Sequence, residues 1–123
     1  MAVVAFQGEL GAYGDEAVRA RFGPSVEPYP CKSFQDLFEA VASGKVDYGL
    51  APVENSQAGS INEVYDLLRR YDLYVAGEIL LPVNHALMAL PGQSLADIRR
   101  VISHPQALAQ CDRFLRELGV EVV

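Results

Sequence analysis

In the stretch Tyr48-Gly49-Leu50-Ala51-Pro52-Val53-Glu54-Asn55-Ser56-Gln57-Ala58-Gly59-Ser60-Ile61-Asn62-Glu63, an apolar run meets a proline, then a polar loop, then the start of a helix. Pro52 has no N–H for a sheet ladder, so strand pairing is expected to end there. Ser60 and Glu63 have the spacing of a capping box, which predicts a helix opening at Ser60. Asn55, Ser56 and Gly59 lie between them, where donors and a close backbone can meet an anion at a helix N-terminus. A strand whose carboxyl end feeds a polar loop and a capped helix is where α/β folds place ligands. The functional site is expected here.

Working outward in both directions, the pattern repeats. Val3–Phe6 reads as a buried first strand and residues 7–14 as a glycine-punctuated turn. Asp15 and Glu16 suit the first turn of a helix that Gly23 and Pro24 stop. Val26–Cys31 is a short strand whose prolines place it near an edge. Ser33 opens a second helix with Phe34, Leu37, Phe38 and Val41 at i, i+3, i+4 and i+7. Tyr48–Val53 is the third strand and Ile61–Tyr71 the third helix. Strand–turn–helix units with short links predict a mainly parallel sheet covered by helices, an α/β fold.

After about residue 72 the rhythm changes. Leu73–Leu90 gives two extended apolar runs around Pro82, read as the crossover from a first lobe, residues 1–78, to a second, residues 79–123. Ser94–Ile98 is a brief helical turn and Arg100–Ile102 a short strand. Pro105 takes a favoured first helical position, with Leu108, Cys111, Leu115 and Leu118 as the buried face and Gly119 as the cap. Val120–Val123 begins another strand. The second lobe reads as truncated, the first as complete.

Composition narrows the classes. A chain of 123 residues, 50% hydrophobic, is long enough to bury a core. No apolar run approaches the roughly 20 residues of a membrane span, and Met1–Phe6 lacks the basic start of a signal peptide. A net charge of −6 without a Lys/Arg cluster argues against nucleic acid as a partner. Cys31 and Cys111 have neither disulfide-scaffold nor zinc spacing, and buried free thiols in a reducing compartment are expected. His85 and His104 share no metal-ligand spacing with each other or with the cysteines. A soluble, cytoplasmic protein without metal or cofactor is the expectation.

Three strand-to-helix loops could hold an acid. The first, residues 7–14, carries Gly8, Gly11 and Gly14 as G-x-x-G-x-x-G, which is not the dinucleotide fingerprint. The second spans Glu54–Gly59. In the third, Ser103-His104-Pro105-Gln106, either Ser103 or His104 caps the helix that Pro105 starts. Parallel strands would send these loops to one side of their sheets, facing one cleft between lobes. Neutral donors at helix starts (Asn55, Ser56, Ser103, Gln106, Gln110) suit carboxylates without many cations. A small dicarboxylic acid fits an acidic protein on those terms.

At these residues the chain resembles the prephenate and arogenate dehydratases. The resemblance rests on Phe6-Gln7-Gly8 with Gly11-Ala12-Tyr13, on Ala51–Ser56 with Gly59-Ser60-Ile61, on Pro82-Val83 with His85 and Leu87, and on Ile102–Cys111. It implies a cytoplasmic carbon–oxygen lyase of phenylalanine biosynthesis, converting prephenate to phenylpyruvate with loss of carbon dioxide and water. It also implies a two-lobed, periplasmic-binding-protein-like (type II) fold with substrate in the cleft. Carried over by position, Asn55, Ser56, Ser103 and Gln110 line that cleft, with Gln106 and the loop around Gly11 close by. Glu54 reads as an orienting residue, because its neighbours offer no apolar pocket to raise its pKa.

Two departures from the family follow. A hydroxyl residue usual after the aromatic of the first loop is Gly14 here, so a substrate contact is missing or supplied by a backbone N–H. The family's proton-donating threonine, in a Thr-Arg-Phe motif, is absent, because the chain contains no threonine. The chain is therefore expected to be an amino-terminal fragment, with a truncated gene product as the other account, inactive alone and self-associating through its unfinished second lobe as a homo-oligomer. The alternative is an organic-acid or amino-acid binding module sharing the two-lobed fold.

Overall fold

The computed structural model describes residues 1–55 and 59–123. They form two compact units, Met1–Pro82 and Val83–Val123.

The first unit is organised by β1 (Val3–Gln7), which pairs in parallel with β2 (Glu27–Cys31) on one side and β3 (Tyr48–Gly49) on the other, giving the order β2-β1-β3. The chain thus steps one way from β1 to β2 and the opposite way from β2 to β3. Crossovers of one hand then put the connecting helices α1 (Tyr13–Phe22) and α2 (Phe34–Ala42) on opposite faces. The strand alternation sorts the core accordingly. Val4 and Phe6 pack with Val18 and Val26 on one face. Ala5 packs with Leu37, Phe38, Val46, Val64 and Leu67 on the other. Val64 and Leu67 belong to α3 (Asn62–Arg70). Val4, Ala5 and Phe6 are all fully buried, so β1 reads as an uninterrupted apolar run rather than an alternating one.

Local chemistry explains most boundaries. Ser33 accepts a hydrogen bond from the Asp36 N–H at 3.1 Å and starts α2. Gly23, at φ +93°, ends α1. The prolines of β2 are tolerated because that strand is the sheet's edge.

The expected third strand is shorter than its apolar run. Pairing with β1 stops at Gly49, and the last bond is from the Leu50 N–H to the Ala5 carbonyl, 2.9 Å. A small antiparallel hairpin follows, with β4 (Glu54–Asn55) paired to β5 (Gly59–Ser60). The Ile61 N–H donates to the Val53 carbonyl at 2.8 Å and closes it. The helix accordingly opens later than the capping box predicts. Ile61, not Ser60, is the N-cap of α3 and offers no side-chain bond.

In the second unit a 3₁₀ turn, Leu95–Asp97, is closed by the reciprocal Ser94/Asp97 box. β6 (Arg100–Val101) pairs in parallel with β7 (Glu121–Val122), so these two strands are partners of each other. The single helix expected after Pro105 is two: α4 (Pro105–Gln110) and α5 (Asp112–Leu118). The break is at Cys111, where ψ is 11° and the N–H is shared between the Ala107 and Leu108 carbonyls. No glycine or proline marks it, so apolar periodicity ran straight through. Leu115 alone of the expected face is fully buried, and Cys111 is half-buried rather than buried. Residues 72–90, where extended runs were expected, hold no helix or strand.

Burial pushes the Cys31 thiol above its ordinary value of 9.0, and the Asp36 carboxylate adds to the effect. Alkylation by iodoacetamide at neutral pH should therefore modify Cys111 well before Cys31, and the Cys31 rate should still be rising with pH beyond 9.0. Peptide mapping after timed labelling checks this; equal rates at pH 7 would contradict the packing described.

Candidate functional site

The loops after β1 and β3 leave the same carboxyl edge of a parallel sheet, where such folds collect ligand contacts. The first loop is held by hydrogen bonds at two of its glycines. Gly8, at φ +129°, donates its N–H to the Cys31 carbonyl at 2.9 Å. Gly11 adopts φ +88° with open space where a Cβ would stand, so conformation rather than room requires glycine there. Its N–H donates to Asp15 Oδ2 at 2.8 Å, and Asp15 Oδ1 accepts from Arg19 Nε at 2.9 Å. Asp15 is buried while Arg19 is half-exposed. The carboxylate thus ties the loop to the helix that follows. Gly11 can offer a ligand close backbone approach, but its N–H is engaged within the loop.

This Asp15–Arg19 clamp was not singled out in the sequence. The available signal was the i, i+4 spacing of opposite charges directly after a glycine loop.

Gly14 lies in the first turn of α1 against the β1 strand. A Cβ there would stand 2.7 Å from Cδ2 of Phe6 and 3.4 Å from the Gln7 carbonyl oxygen. The position that carries a hydroxyl in the resembled family is here filled by the packing of a fully buried ring.

Asn55 sits on β4 opposite Gly59, in the hairpin rather than in a loop leading into a helix N-terminus. Ser56 lies outside the described residues. Beside Asn55, Glu54 Oε1 accepts from the Tyr65 hydroxyl at 3.2 Å, which fastens the hairpin to α3. Partial burial, then the Glu54 carboxylate, push the Tyr65 phenol above its ordinary value. Glu54 is therefore an anchor of the hairpin.

The second unit carries the other site residues on α4 and its lead-in. His104 is the N-cap: its Nδ1 accepts from the Gln106 N–H at 3.1 Å. This settles the choice left open between Ser103 and His104. Ser103 precedes the cap and is exposed. Gln106 and Gln110 are four apart and so share a face of the helix. Gln110 Oε1 lies 2.6 Å from Nε2 of His85, a contact across 25 positions of sequence. Sequence reasoning did not pair these residues, and no local spacing could have done so. The structure therefore places Gln106 and Gln110 on α4 and Ser103 just before its cap, and Gly11 and Asn55 in the segments that follow β1 and β3 of the other unit's sheet. Among the described residues, no three His, Cys, Asp or Glu side chains cluster as metal ligands, and no helix is long and apolar enough to cross a membrane.

A family model described as prephenate dehydratase matches residues 4–123. The chain is 48% identical over 117 residues to arogenate dehydratase/prephenate dehydratase 2, chloroplastic, of Arabidopsis thaliana, covering 95% of this chain and 30% of that relative. It is 49% identical over 119 residues to arogenate dehydratase 1 of Petunia hybrida, covering 97% of this chain and 28% of that one. The chain thus spans under a third of the length of these relatives. Among solved structures, it matches the prephenate dehydratase of Staphylococcus aureus subsp. aureus Mu50 with a TM-score of 0.78 and 27% identity, over 98% of this chain and 46% of that one. It also matches GqqA, described as a novel type of quorum quenching acylase, with a TM-score of 0.81 and 39% identity, over 98% and 44%.

The close approach at Gly14 makes a direct prediction. Gly14→Ala should gain up to about 1 kcal/mol of helix propensity but lose about 1–3 kcal/mol to overpacking against Phe6. The net effect is destabilising. In a Phe6→Leu background the clash is relieved, and the same substitution should turn neutral or stabilising. Urea unfolding of the four proteins checks the cycle.

Proposed function

The chain belongs to the prephenate dehydratase family, and we propose that it supplies substrate-recognition residues for the decarboxylating dehydration of prephenate to phenylpyruvate, or of arogenate in the same manner. The observation that carries this reading is the family match over residues 4–123, which contains every proposed ligand residue. Asn55, Ser56, Ser103, Gln106 and Gln110, with the backbone at Gly11, would bind the carboxylates and the ring hydroxyl. The proposal places them in a cleft between two lobes, residues 1–78 and 79–123, of a periplasmic-binding-protein-like fold. It further places the protein in the cytoplasm, without a cofactor, as a homo-oligomer paired through strands of its second lobe.

The chemistry explains why neutral donors suffice. Loss of carbon dioxide and water together creates an aromatic ring, so the reaction is strongly downhill and needs no covalent intermediate. The protein has to hold the departing carboxylate in a poorly solvated place and assist the leaving hydroxyl with a hydrogen-bond donor. Positioning lowers the barrier by fixing both groups. General acid assistance is worth roughly 10²–10⁴-fold more. In the resembled family that donor is a threonine, and these 123 residues contain none. The proposal therefore assigns recognition to this chain and proton donation to residues outside it.

A second reading, acylase activity, is raised by the 39% identity to GqqA. Acyl hydrolysis requires an activated nucleophile beside a base. Ser103 adjoins His104, but His104 Nδ1 already accepts the Gln106 N–H at the start of α4. The neutral-donor arrangement favours the dehydratase reading.

Joining residues 1–123 to the carboxyl-terminal remainder of the Staphylococcus aureus dehydratase gives a protein in which the site can be assayed. Prephenate should be converted to phenylpyruvate. Asn55→Ala should lower kcat/KM by the equivalent of about 1–3 kcal/mol, as expected for a lost donor to a desolvated carboxylate. Wild-type kinetics in that variant would reject the assignment.

A further inference from the structure

Among the described residues Asp15 is the one charged side chain that is buried, and the reaction scheme gives it no part. Its Oδ2 accepts from the Gly11 N–H at 2.8 Å and its Oδ1 from Arg19 Nε at 2.9 Å. Building on the contact proposed above between the Gly11 backbone and the substrate, we propose that Asp15 is a positioning residue. It fixes the peptide between Leu10 and Gly11 so that the loop offers the Leu10 carbonyl, an acceptor, to the ring hydroxyl of the substrate.

The physical case starts with the turn. The Ala12 N–H donates to the Glu9 carbonyl at 3.1 Å, which closes a four-residue turn with Leu10 and Gly11 at its centre. Gly11 has φ +88°, as the third residue of a type II turn does. Types I and II differ by a flip of the central peptide, and glycine in third place allows both. The closing bond is common to the two types and does not choose between them; the bond to Asp15 does. A trans peptide points its N–H and its carbonyl in opposite directions, and the chain has no cis bond. With the Gly11 N–H on the carboxylate, the Leu10 carbonyl is therefore turned away from it. The flipped peptide would set carbonyl oxygen against carboxylate oxygen.

A helix start explains an acid at this place but not its burial. Asp15 and Glu16 both lie in the first turn of α1 and suit the macrodipole, and Glu16 does so from an exposed position. A carboxylate withdrawn from water needs compensating partners, and Asp15 has them in the loop and in Arg19. The tether is thus buried, whereas Leu10, Gly11 and Ala12 are exposed, where a ligand can reach them. A carbonyl repels carboxylates and accepts from a hydroxyl, so the ring hydroxyl is the substrate group that matches it.

The test uses the isotopically labelled chain, its Asp15→Leu, Asp15→Ala, Asp15→Asn and Asn55→Ala variants, and two ring-saturated analogues of prephenate, one with the ring hydroxyl and one without. The wild type should bind the hydroxylated analogue more tightly, with the Gly11 amide protected from exchange. Asp15→Leu fills the buried space without an acceptor, and Asp15→Ala removes the acceptor outright. In both, the Gly11 amide should lose protection and affinity for the hydroxylated analogue should fall about 3- to 10-fold, while affinity for the other is unchanged. Asp15→Asn keeps an acceptor oxygen, and the long, half-exposed Arg19 can turn to water where the Gly11 N–H cannot. This variant should retain both the protection and the preference; a role played through charge at the helix start would make it behave as Asp15→Leu. Equal affinity of the wild type for the two analogues, an unchanged preference in Asp15→Leu and Asp15→Ala, equal losses for both analogues, or Asp15→Asn behaving as Asp15→Leu would each overturn the positioning role alone, provided that Asn55→Ala weakens binding. No binding by the wild type, or full affinity in Asn55→Ala, would overturn the site reading and the positioning role with it.

Discussion

Parallel pairing on both sides of a fully buried β1 is the constraint from which the first unit follows. Val4, Ala5 and Phe6 have no exposed surface, so both faces of the strand must be covered. The reversal of direction from β2 to β3 provides that cover by sending α1 and α2 to opposite faces. Burial of a side chain such as Phe6 or Val4 is worth about 1.5–3 kcal/mol. The same pairing sends the loops that follow β1 and β3 to one edge of the sheet. The packing at Gly14 carries the constraint into the site, since the start of α1 can lie against Phe6 only where no side chain intervenes.

In both loop regions of this unit a described backbone group is held by the chain itself. The Gly11 N–H is bound by Asp15, and the Val53 carbonyl by Ile61. Each bond fixes the backbone at that point. The second unit follows the same logic at α4, where the His104 ring takes the Gln106 N–H and leaves the glutamine side chains along one face.

Sequence patterns made the first unit legible because its signals are local. Leu37 and Phe38 recur at helical spacing behind a Ser33 cap, and the prolines of β2 point to an edge strand; both features are present in the structure. The β4–β5 hairpin was not legible, because the apolar run Tyr48–Val53 looks like one strand and the bond that ends it joins residues eight apart. The capping box at Ser60 failed for the same reason: the hairpin fixes Ile61 at the helix start. The helix break at Cys111 lacks any breaker residue. The candidate site residues were named from motifs and from the family resemblance. The Asp15 clamp and the His85–Gln110 pair depend on side-chain geometry that spacing does not encode, and the pairing across 25 positions is beyond any local pattern.

The proposed function assigns recognition to neutral amide and hydroxyl groups on this chain and proton donation to a group not among these 123 residues, which contain no threonine. That division is open to one direct measurement: phenylpyruvate formed from prephenate by purified residues 1–123, compared with the uncatalysed background. The account predicts no formation above background, because positioning without a donor for the leaving hydroxyl does not complete the reaction. Turnover at an enzymatic rate would contradict it.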